Sequence, residues 1–109
     1  MTVSIKSLED GQLPSSKGTL YTTPSDPVKQ AIVKRITLVN TDSSARAVNL
    51  YFKASGGTSR RITPKDYSLA VGALMVMDDE LTLEAADIIE GDAAAATVID
   101  FVISGIENS

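Results

Sequence analysis

The sequence predicts an all-β domain, either a sandwich or a barrel of antiparallel strands. Short segments with strand composition recur along the chain with turn residues between them, and no alternation of strands with helices is present. The longest pair runs from Ala31 to Phe52, where AIVKRITLV, the polar turn NTDSSA and RAVNLYF follow one another. Because the chain also has no histidine, cysteine or tryptophan, this pattern favours a scaffold over an enzyme.

The composition is that of one ordinary globular domain. The 109 residues are 43% hydrophobic and 22% charged, a balance that supports a compact core. A net charge of −4 provides no clustered positive field, so nucleic acid is not an expected partner. Without cysteine the chain has no disulfide, thiolate metal site or thiol nucleophile, and without histidine it has no Ser-His-Asp triad.

The amino terminus, MTVSIKSLEDGQLP, lacks the positive start and the apolar block of a signal peptide. No run along the chain approaches the roughly 20 apolar residues that cross a bilayer. We therefore expect a protein that is made in the cytoplasm, is not exported through a signal peptide and has no membrane partner.

Residues 1–17 are expected to form an extended arm or an edge strand. Val3, Ile5 and Leu8 alternate weakly, and Asp10-Gly11 is a pair typical of turns. The main domain is then expected to begin at residue 18.

Two further strands are predicted before residue 41. Residues 19–23 have the β-branched and aromatic composition of a strand, which Pro24 and Pro27 end in a loop. Residues 30–40 alternate with apolar side chains on both faces, as in a strand covered on both sides. The two sets are Ile32, Ile36 and Leu38 on one face, and Ala31, Val33 and Val39 on the other.

Turn and strand signals continue to alternate after the loop at residue 44. Residues 46–54 read as a half-buried antiparallel strand. Residues 55–58 form a tight turn, from which residues 59–63 return as a short hairpin partner. Further strand segments are predicted at 67–69 and 73–77.

Residues 81–90 fit two structures equally well by pattern alone. A helix would place Leu81, Ala85 and Ile88 on one face, whereas the alternative is two short strands around a turn at 84–87. The alanines at 93–96 are predicted to be a loop, followed by a long strand at 97–106 with apolar residues on both faces.

Two charged groups are candidates for chemistry. Asp78-Asp79-Glu80 could hold a hard cation or act as an acid and base. The segment does not have the alternating Asp/Asn ligands and the central glycine of a known calcium loop. A solvated charged turn is therefore the favoured interpretation. The segment Gly56 to Arg61 could cradle an anion, but it lacks the lysine and the helix of a P-loop. A hairpin turn with solvated arginines, or arginines that pair with a neighbouring subunit, is the better interpretation.

Tyr21, Tyr51 and Tyr67 are candidates for a sugar-stacking platform, since their rings have apolar faces and a polar tip. Carbohydrate modules usually use tryptophan as well, and the chain has none. Packing in the core or at an interface is therefore favoured.

The chain resembles a group of small tailed-bacteriophage virion proteins over most of its length after residue 17. The segments that carry this resemblance are GTLYTTP at 18–24, AIVKRITLVNT at 31–41, VNLYF at 48–52, ITPKD at 62–66, LAVG at 69–72 and LTLEAADIIEG at 81–91. The segment 81–89 is also similar to a strand-turn-strand unit of jelly-roll domains, with Ala86 in place of the usual glycine. The resemblance therefore favours strands over a helix in this region.

The resemblance implies an antiparallel β-sandwich of jelly-roll type over 18–109 with an extended N-terminal arm at 1–17. It implies a non-enzymatic protein with no cofactor and no metal. Its contacts with other proteins are expected in the arm and in the turn 56–61. The expected contact residues are Val3, Ile5, Leu8, Leu13, Gly56, Gly57, Arg60 and Arg61.

The implied function is structural. A capsid decoration, or cement, protein would bind the assembled head and clamp neighbouring capsid subunits, and the alternative is a tail, baseplate or fibre-associated module that could bind host carbohydrate. The expected partners are the major capsid protein or other virion proteins, together with further copies of the chain, of which a trimer is favoured. The expected location is the virion, assembled in the host cytoplasm.

Overall fold

Two antiparallel sheets packed face to face make up the protein. The computed structural model describes residues 3–25 and 30–108, and within them it has ten strands and no helix. The strands are β1 (Val3–Gln12), β2 (Gly18–Thr22), β3 (Gln30–Asn40), β4 (Arg46–Lys53), β5 (Arg60–Arg61), β6 (Tyr67–Leu69), β7 (Leu74–Met77), β8 (Leu81–Leu83), β9 (Ile88–Ala93) and β10 (Ile99–Asn108). The predicted all-β sandwich is confirmed. The loop predicted between Pro24 and Pro27 lies mostly outside the described residues.

The chain crosses repeatedly from one sheet to the other. Sheet A has the order β1-β10-β3, with β7 and β8 both paired to β3, and sheet B has the order β2-β9-β4, with β5 and β6 both paired to β4. Each of these short pairs acts as one interrupted strand at an edge, so each sheet is effectively four strands wide. Two four-stranded sheets connected in this way favour the jelly-roll interpretation.

The core lies between the sheets and is almost entirely aliphatic. Its fully buried side chains include Ile36, Leu38, Leu50, Ile99 and Ile103, which project from the central strands of both sheets. Burial of each such side chain contributes about 1.5–3 kcal/mol, so apolar packing between the two sheet faces holds the sandwich together in a chain that has no cysteine for a disulfide.

The amino-terminal segment belongs to the sandwich rather than extending from it as an arm. β1 pairs with β10 from Val3 to Gln12, with a register shift between Ser7 and Glu9. Leu8 and Leu13 lie in the core cluster. The extended arm is therefore wrong for residues 3–12, which are an edge strand, because backbone pairing and Leu8 together fix the segment against sheet A.

A bulge explains why β3 has apolar residues on both of its predicted faces. β10 pairs Ser104 with Arg35 and Gly105 with Val33, so Lys34 is left over and the strand changes parity there. As a result Ala31 and Val33 point into the core on one side of the bulge, and Ile36 and Leu38 do so on the other. A bulge inserts one residue and turns the side-chain alternation over.

Residues 81–90 form strands, so the helical alternative is wrong. A turn from Glu84 to Asp87 joins β8 to β9, closed by a hydrogen bond from the Asp87 N–H to the Glu84 carbonyl at 3.0 Å. The buried Asp87 carboxylate accepts from the N–H of Glu84 and from the N–H of Ser55, both at 2.9 Å. Ala86 has φ 67°, in the left-handed region that glycine prefers.

Ala86→Gly is expected to stabilise the protein. The left-handed conformation costs an L-residue about 1–2 kcal/mol, and the extra chain entropy of glycine takes back about 0.5–1 kcal/mol, which leaves a gain of up to about 1.5 kcal/mol. Thermal unfolding followed by circular dichroism measures the change. Ala85→Gly is the matched control and should destabilise, because Ala85 has no positive φ to relieve; a lower melting temperature for Ala86→Gly would contradict the turn geometry.

Candidate functional site

Polar side chains on the outer face of sheet B hydrogen-bond to one another. The buried side chain of Asn49 donates to Asp66 Oδ1 at 3.0 Å and to Asp92 Oδ1 at 2.8 Å, and its Oδ1 accepts from Arg61 Nη1 at 2.7 Å. The Tyr51 hydroxyl donates to Asp92 Oδ2 at 2.9 Å. Since these groups satisfy one another, the network is a structural feature of the sheet and not an open site.

Cationic side chains lie over the ring of Tyr51, in addition to the hydrogen bond that its hydroxyl donates. The Lys17 ammonium and the Arg61 guanidinium each lie 5.1 Å from the centre of the ring. Burial and the neighbouring Asp92 carboxylate raise the pKa of the Tyr51 hydroxyl. With 8% of its surface exposed, this ring offers no face for stacking against a sugar.

The acidic cluster at Asp78-Asp79-Glu80 is an exposed turn. Glu80 forms an ion pair with Lys34, and no group of three carboxylates in the described part of the chain is arranged to hold a metal. Across residues 3–25 and 30–108 there is also no helix with the length and apolarity of a membrane span. The solvated-turn interpretation is the one that this geometry favours.

The outer face of sheet A is different, because apolar side chains are exposed on it. At one end Ile5 pairs with Ile106, and Ile106 pairs with Ile32, which places the three side chains in one row across β1, β10 and β3. Val3 lies on the same face one row further along, and Val3 and Ile5 are 64% and 89% exposed. We call Val3, Ile5, Ile32 and Ile106 the amino-terminal patch.

Two shallow grooves adjoin the amino-terminal patch. One, of about 360 Å³, lies between Val3, Ile32 and Ile106. The other, of about 490 Å³, runs beside Ile5 and Ile106 along Ser7 and Ser104. Small serine side chains lie next to bulky isoleucines, so the surface at this end of the sheet is grooved. Side chains of another protein could pack into these grooves.

A second apolar group lies at the other end of the same face. Val102 pairs with Thr37 and Thr37 with Val76, and the next row contains Val39 paired with Leu74. Val102, Val76 and Leu74 are among the most exposed large apolar side chains of the described residues. We call Val39, Leu74, Val76 and Val102 the Val102 patch.

The expected contact residues separate into exposed and buried ones. Val3 and Ile5 lie in the amino-terminal patch, and their role as contacts stays a prediction. Leu8 and Leu13 are wrong as contact residues, because their side chains lie in the core with 9% and 1% exposure. β1 alternation brings Leu8 inward at the register shift, and the Leu13 N–H is fixed to the Ile99 carbonyl at 2.9 Å.

The predicted turn 56–61 lies at the edge of sheet B, on the opposite side from the amino-terminal patch. Gly56 has φ 72° and Gly57 donates to the Ala54 carbonyl at 2.8 Å, which is the chemistry of a tight turn. Arg60 is exposed, whereas Arg61 is committed to Asn49 and Tyr51. The structure therefore does not bring the two predicted contact regions together.

The outward-facing apolar residues of sheet A that the sequence interpretation did not single out are Ile32, Ile106 and the Val102 patch. The sequence did indicate apolar residues on both faces of the predicted strands at 30–40 and 97–106. Assigning them to the outer face required the bulge at Lys34, which separates residues that point inward from those that point outward.

A charged cluster ties the two sheets together beside the amino-terminal patch. The Tyr21 hydroxyl on β2 donates to Glu107 Oε2 on β10 at 2.6 Å, and Lys6 on β1 pairs with Glu107 Oε1 at 3.2 Å. Burial and this bond to Glu107 raise the pKa of the Tyr21 hydroxyl.

Tyr21→Phe is expected to destabilise the protein in a pH-dependent way. The fold favours the neutral phenol, so its contribution is complete below the unfolded pKa of about 10 and is lost as the pH rises through the higher folded pKa. The variant should lose about 1–2 kcal/mol at pH 8, and its difference from the wild type should shrink at about pH 11. Urea unfolding at both pH values measures this, with Tyr67→Phe as the control; a difference that stays constant would contradict it.

Comparisons with known proteins support the fold. No family model matches the chain, and no curated protein matches it. A chain of infectious bursal disease virus, strain Gx, superimposes with a TM-score of 0.57 at 13% identity, covering 97% of this chain and 32% of that one. The acid-stable capsid of Helicobacter pylori bacteriophage KHP30 gives 0.56 at 13% identity, covering 100% and 89%. A subunit of Bacillus endospore appendages, which are disulfide-linked pili, gives 0.57 at 15% identity, covering 99% and 88%.

These likenesses concern the fold. The chain spans about a third of the bursal disease virus chain but most of the phage and spore chains. At such low identity the shared feature is the arrangement of strands. The protein therefore has an all-β sandwich fold whose solved neighbours include virus capsid proteins.

Proposed function

We propose that this protein is a non-enzymatic structural protein of a bacteriophage virion, assembled in the host cytoplasm, and that it decorates the assembled head. The observation that carries the proposal is the amino-terminal patch on the outer face of sheet A, where Val3 and Ile5 are exposed. On the outer face of sheet B, by contrast, Asn49 and Tyr51 are hydrogen-bonded to Asp92. The likeness of the fold to virus capsid proteins supports the same conclusion.

The patch gives a physical mechanism for binding. Complete burial of an apolar side chain such as Ile5 is worth about 1.5–3 kcal/mol, and Ile5 and Val3 are now largely in water. β1 is also the outermost strand of sheet A, so its free edge can pair with a strand of another protein. A capsid subunit that covers the patch and extends the sheet would use both contributions.

Binding to the assembled head accounts for a stabilising role. A protein that binds only the assembled shell lowers the free energy of that shell relative to its separated subunits, by an amount that grows with its concentration above the dissociation constant. A site made by two neighbouring capsid subunits would give this selectivity, because neither subunit alone presents all of it.

Rebinding to particles that lack the protein tests the proposal. Purified wild-type protein should cosediment with such particles and raise the temperature at which they release their genome. Ile5→Asp and Val3→Asp should bind at least about tenfold more weakly, because each places a carboxylate in the buried contact. Val71→Asp is the matched control, since Val71 is 56% exposed but lies in the turn before β7.

Two outcomes would contradict the proposal. One is rebinding that the Ile5 and Val3 variants leave unchanged. The other is specific binding of the wild-type protein to a glycan array that is lost in Tyr67→Ala, at a tyrosine that is 44% exposed. That result would support a tail or fibre module that recognises host carbohydrate.

A further inference from the structure

The Val102 patch is built on one row of paired residues across sheet A. Asp10, Val102, Thr37 and Val76 are successive partners in this row, on β1, β10, β3 and β7. Val102 and Val76 are 42% and 46% exposed, and Leu74 in the adjoining row is 60% exposed. Val102 on β10 and Val76 on β7 therefore present apolar side chains on either side of Thr37, and the half-exposed Val39 on β3 lies with Leu74 in the adjoining row.

Opposite charges lie at equal distances on the two sides of this row. Arg35 is two residues before Thr37 on β3, and Asp100 is two residues before Val102 on β10. Because β3 and β10 are antiparallel, the two residues fall on opposite sides, each about 7 Å from the row. Both are exposed and both have the parity of the outer face.

We propose that the Val102 patch is a contact between two copies of this chain, related by a two-fold axis that runs along the row. A half turn about this axis places the outer face of sheet A of the second copy against the same face of the first. It also reverses the strand direction, so the side of the row that carries Arg35 in one copy lies over the side that carries Asp100 in the other. Arg35 of each copy then faces the row that contains Asp100 of the other, so two ion pairs flank Val102 and Val76. The two Asp10 side chains meet on the axis at the β1 edge, where they are exposed and solvent screens their repulsion. This charge complementarity of the face with itself is the reason for assigning a second copy rather than another protein.

The contact is small, so the association should depend on concentration. It involves part of one sheet face, so we expect it to bury less than the approximately 800 Å² per partner of a standard interface. A weak dimer is expected in solution, strengthened where copies are held close together on a surface. The amino-terminal patch, at the other end of the face, stays available for another partner.

Sedimentation equilibrium of the purified wild-type protein and of charge variants tests the two-fold contact. Arg35→Glu and Asp100→Arg should each weaken dimerisation about tenfold or more, because each replaces two attractions with two repulsions. The double variant should return to within about threefold of the wild type, since the ion pairs are restored with their signs exchanged. Arg60→Glu, an exposed arginine at the edge of sheet B, is the control and should leave association unchanged.

Site-specific cross-linking gives an independent measurement. The chain has no cysteine, so Thr37→Cys carries one thiol, which lies on the proposed axis next to its symmetry mate. Facing sheets are about 10 Å apart, so a short bis-maleimide should link two copies where a direct disulfide would not. Thr19→Cys, exposed on β2 of sheet B, is the matched control and should give little product.

The two-fold contact would be overturned if sedimentation showed a monomer at every concentration or a trimer, or if the double variant showed no recovery of dimerisation. Equal cross-linking at residues 19 and 37 would overturn it as well. These experiments use the isolated protein and do not depend on the virion role. A failed dimer with successful rebinding to particles would refute only this inference, and the reverse result would refute only the proposed function.

Discussion

Gly105→Ala is expected to lower the free energy of unfolding by more than about 3 kcal/mol or to prevent folding. A Cβ on Gly105 would lie 2.1 Å from the carbonyl oxygen of Ile32 and 3.1 Å from Cδ1 of Leu8. The first contact is with backbone, which cannot move aside without breaking the pairing of β3 with β10. Relief of the clash therefore costs the central pairing of sheet A.

The cause of this close approach is that both neighbours of β10 change register beside Ser104. β3 leaves out Lys34 there, and β1 leaves out Leu8. At these two bulges the backbone of β3 and the Leu8 side chain of β1 both approach Gly105, and glycine is the residue that leaves room for them.

Urea unfolding followed by far-ultraviolet circular dichroism measures the effect, since the chain has no tryptophan to report by fluorescence. Ser104→Ala is the matched control, because Ser104 is half-exposed on the outer face, and it should change stability by less than about 0.5 kcal/mol. A Gly105→Ala protein within about 1 kcal/mol of the wild type would show that the bulges do not constrain this position as described.

Asn40→Leu is expected to cost about 3 kcal/mol. Asn40 is 1% exposed at the end of β3, and its side chain donates to the Leu69 carbonyl at 2.9 Å and the Ser44 carbonyl at 3.0 Å. Its Oδ1 accepts from the Asp42 N–H at 2.8 Å. Leucine has a similar volume but leaves these three backbone groups without their partner. The buried Leu69 carbonyl accounts for about 1–3 kcal/mol, and the partly buried contacts of Ser44 and Asp42 add less, because water can replace them in part.

The same unfolding experiment tests this prediction, with Thr41→Ala as the neighbouring control. The exposed Thr41 hydroxyl donates to the Val98 carbonyl at 2.8 Å, which the Thr41 N–H also contacts at 2.8 Å, so its loss should cost less than about 1 kcal/mol. Equal effects of the two substitutions would mean that Asn40 is not the residue that joins these loops.

The strands could be predicted from the sequence because turn residues and alternation act locally. The predicted strands from residue 19 to residue 106 correspond to observed ones within a few residues, including the short hairpin partner at 59–63, which is β5. The choice between helix and strands at 81–90 could not be made from the pattern, because Ala86 occupies a left-handed position that composition does not reveal. It was the resemblance to jelly-roll units that favoured the observed strands.

The faces of the strands were harder to predict than their positions. Alternation assigns residues to faces only while the register is constant, and the bulge at Lys34 reverses it in the middle of β3. The exposure of Ile32 and the burial of Val33 follow from pairing with β10, which lies more than 60 residues further along the chain. Sequence pattern alone contains no information about that pairing.

The contact surface was predicted in part for the same reason. Val3 and Ile5 are exposed as expected, but Leu8 turns into the core at a bulge, and Arg61 is bound to Asn49 on the neighbouring strand. Composition indicated a scaffold, and only the assembled sheet shows that most of its exposed large apolar side chains lie on the outer face of sheet A.

The copy number of this protein in purified particles tests the central claim most directly. Quantitative mass spectrometry of intact particles, normalised to the major capsid protein, gives that number. A head decoration protein should be present in a number comparable to that of the capsid subunits. A few copies per particle, or absence from particles, would contradict a role on the head.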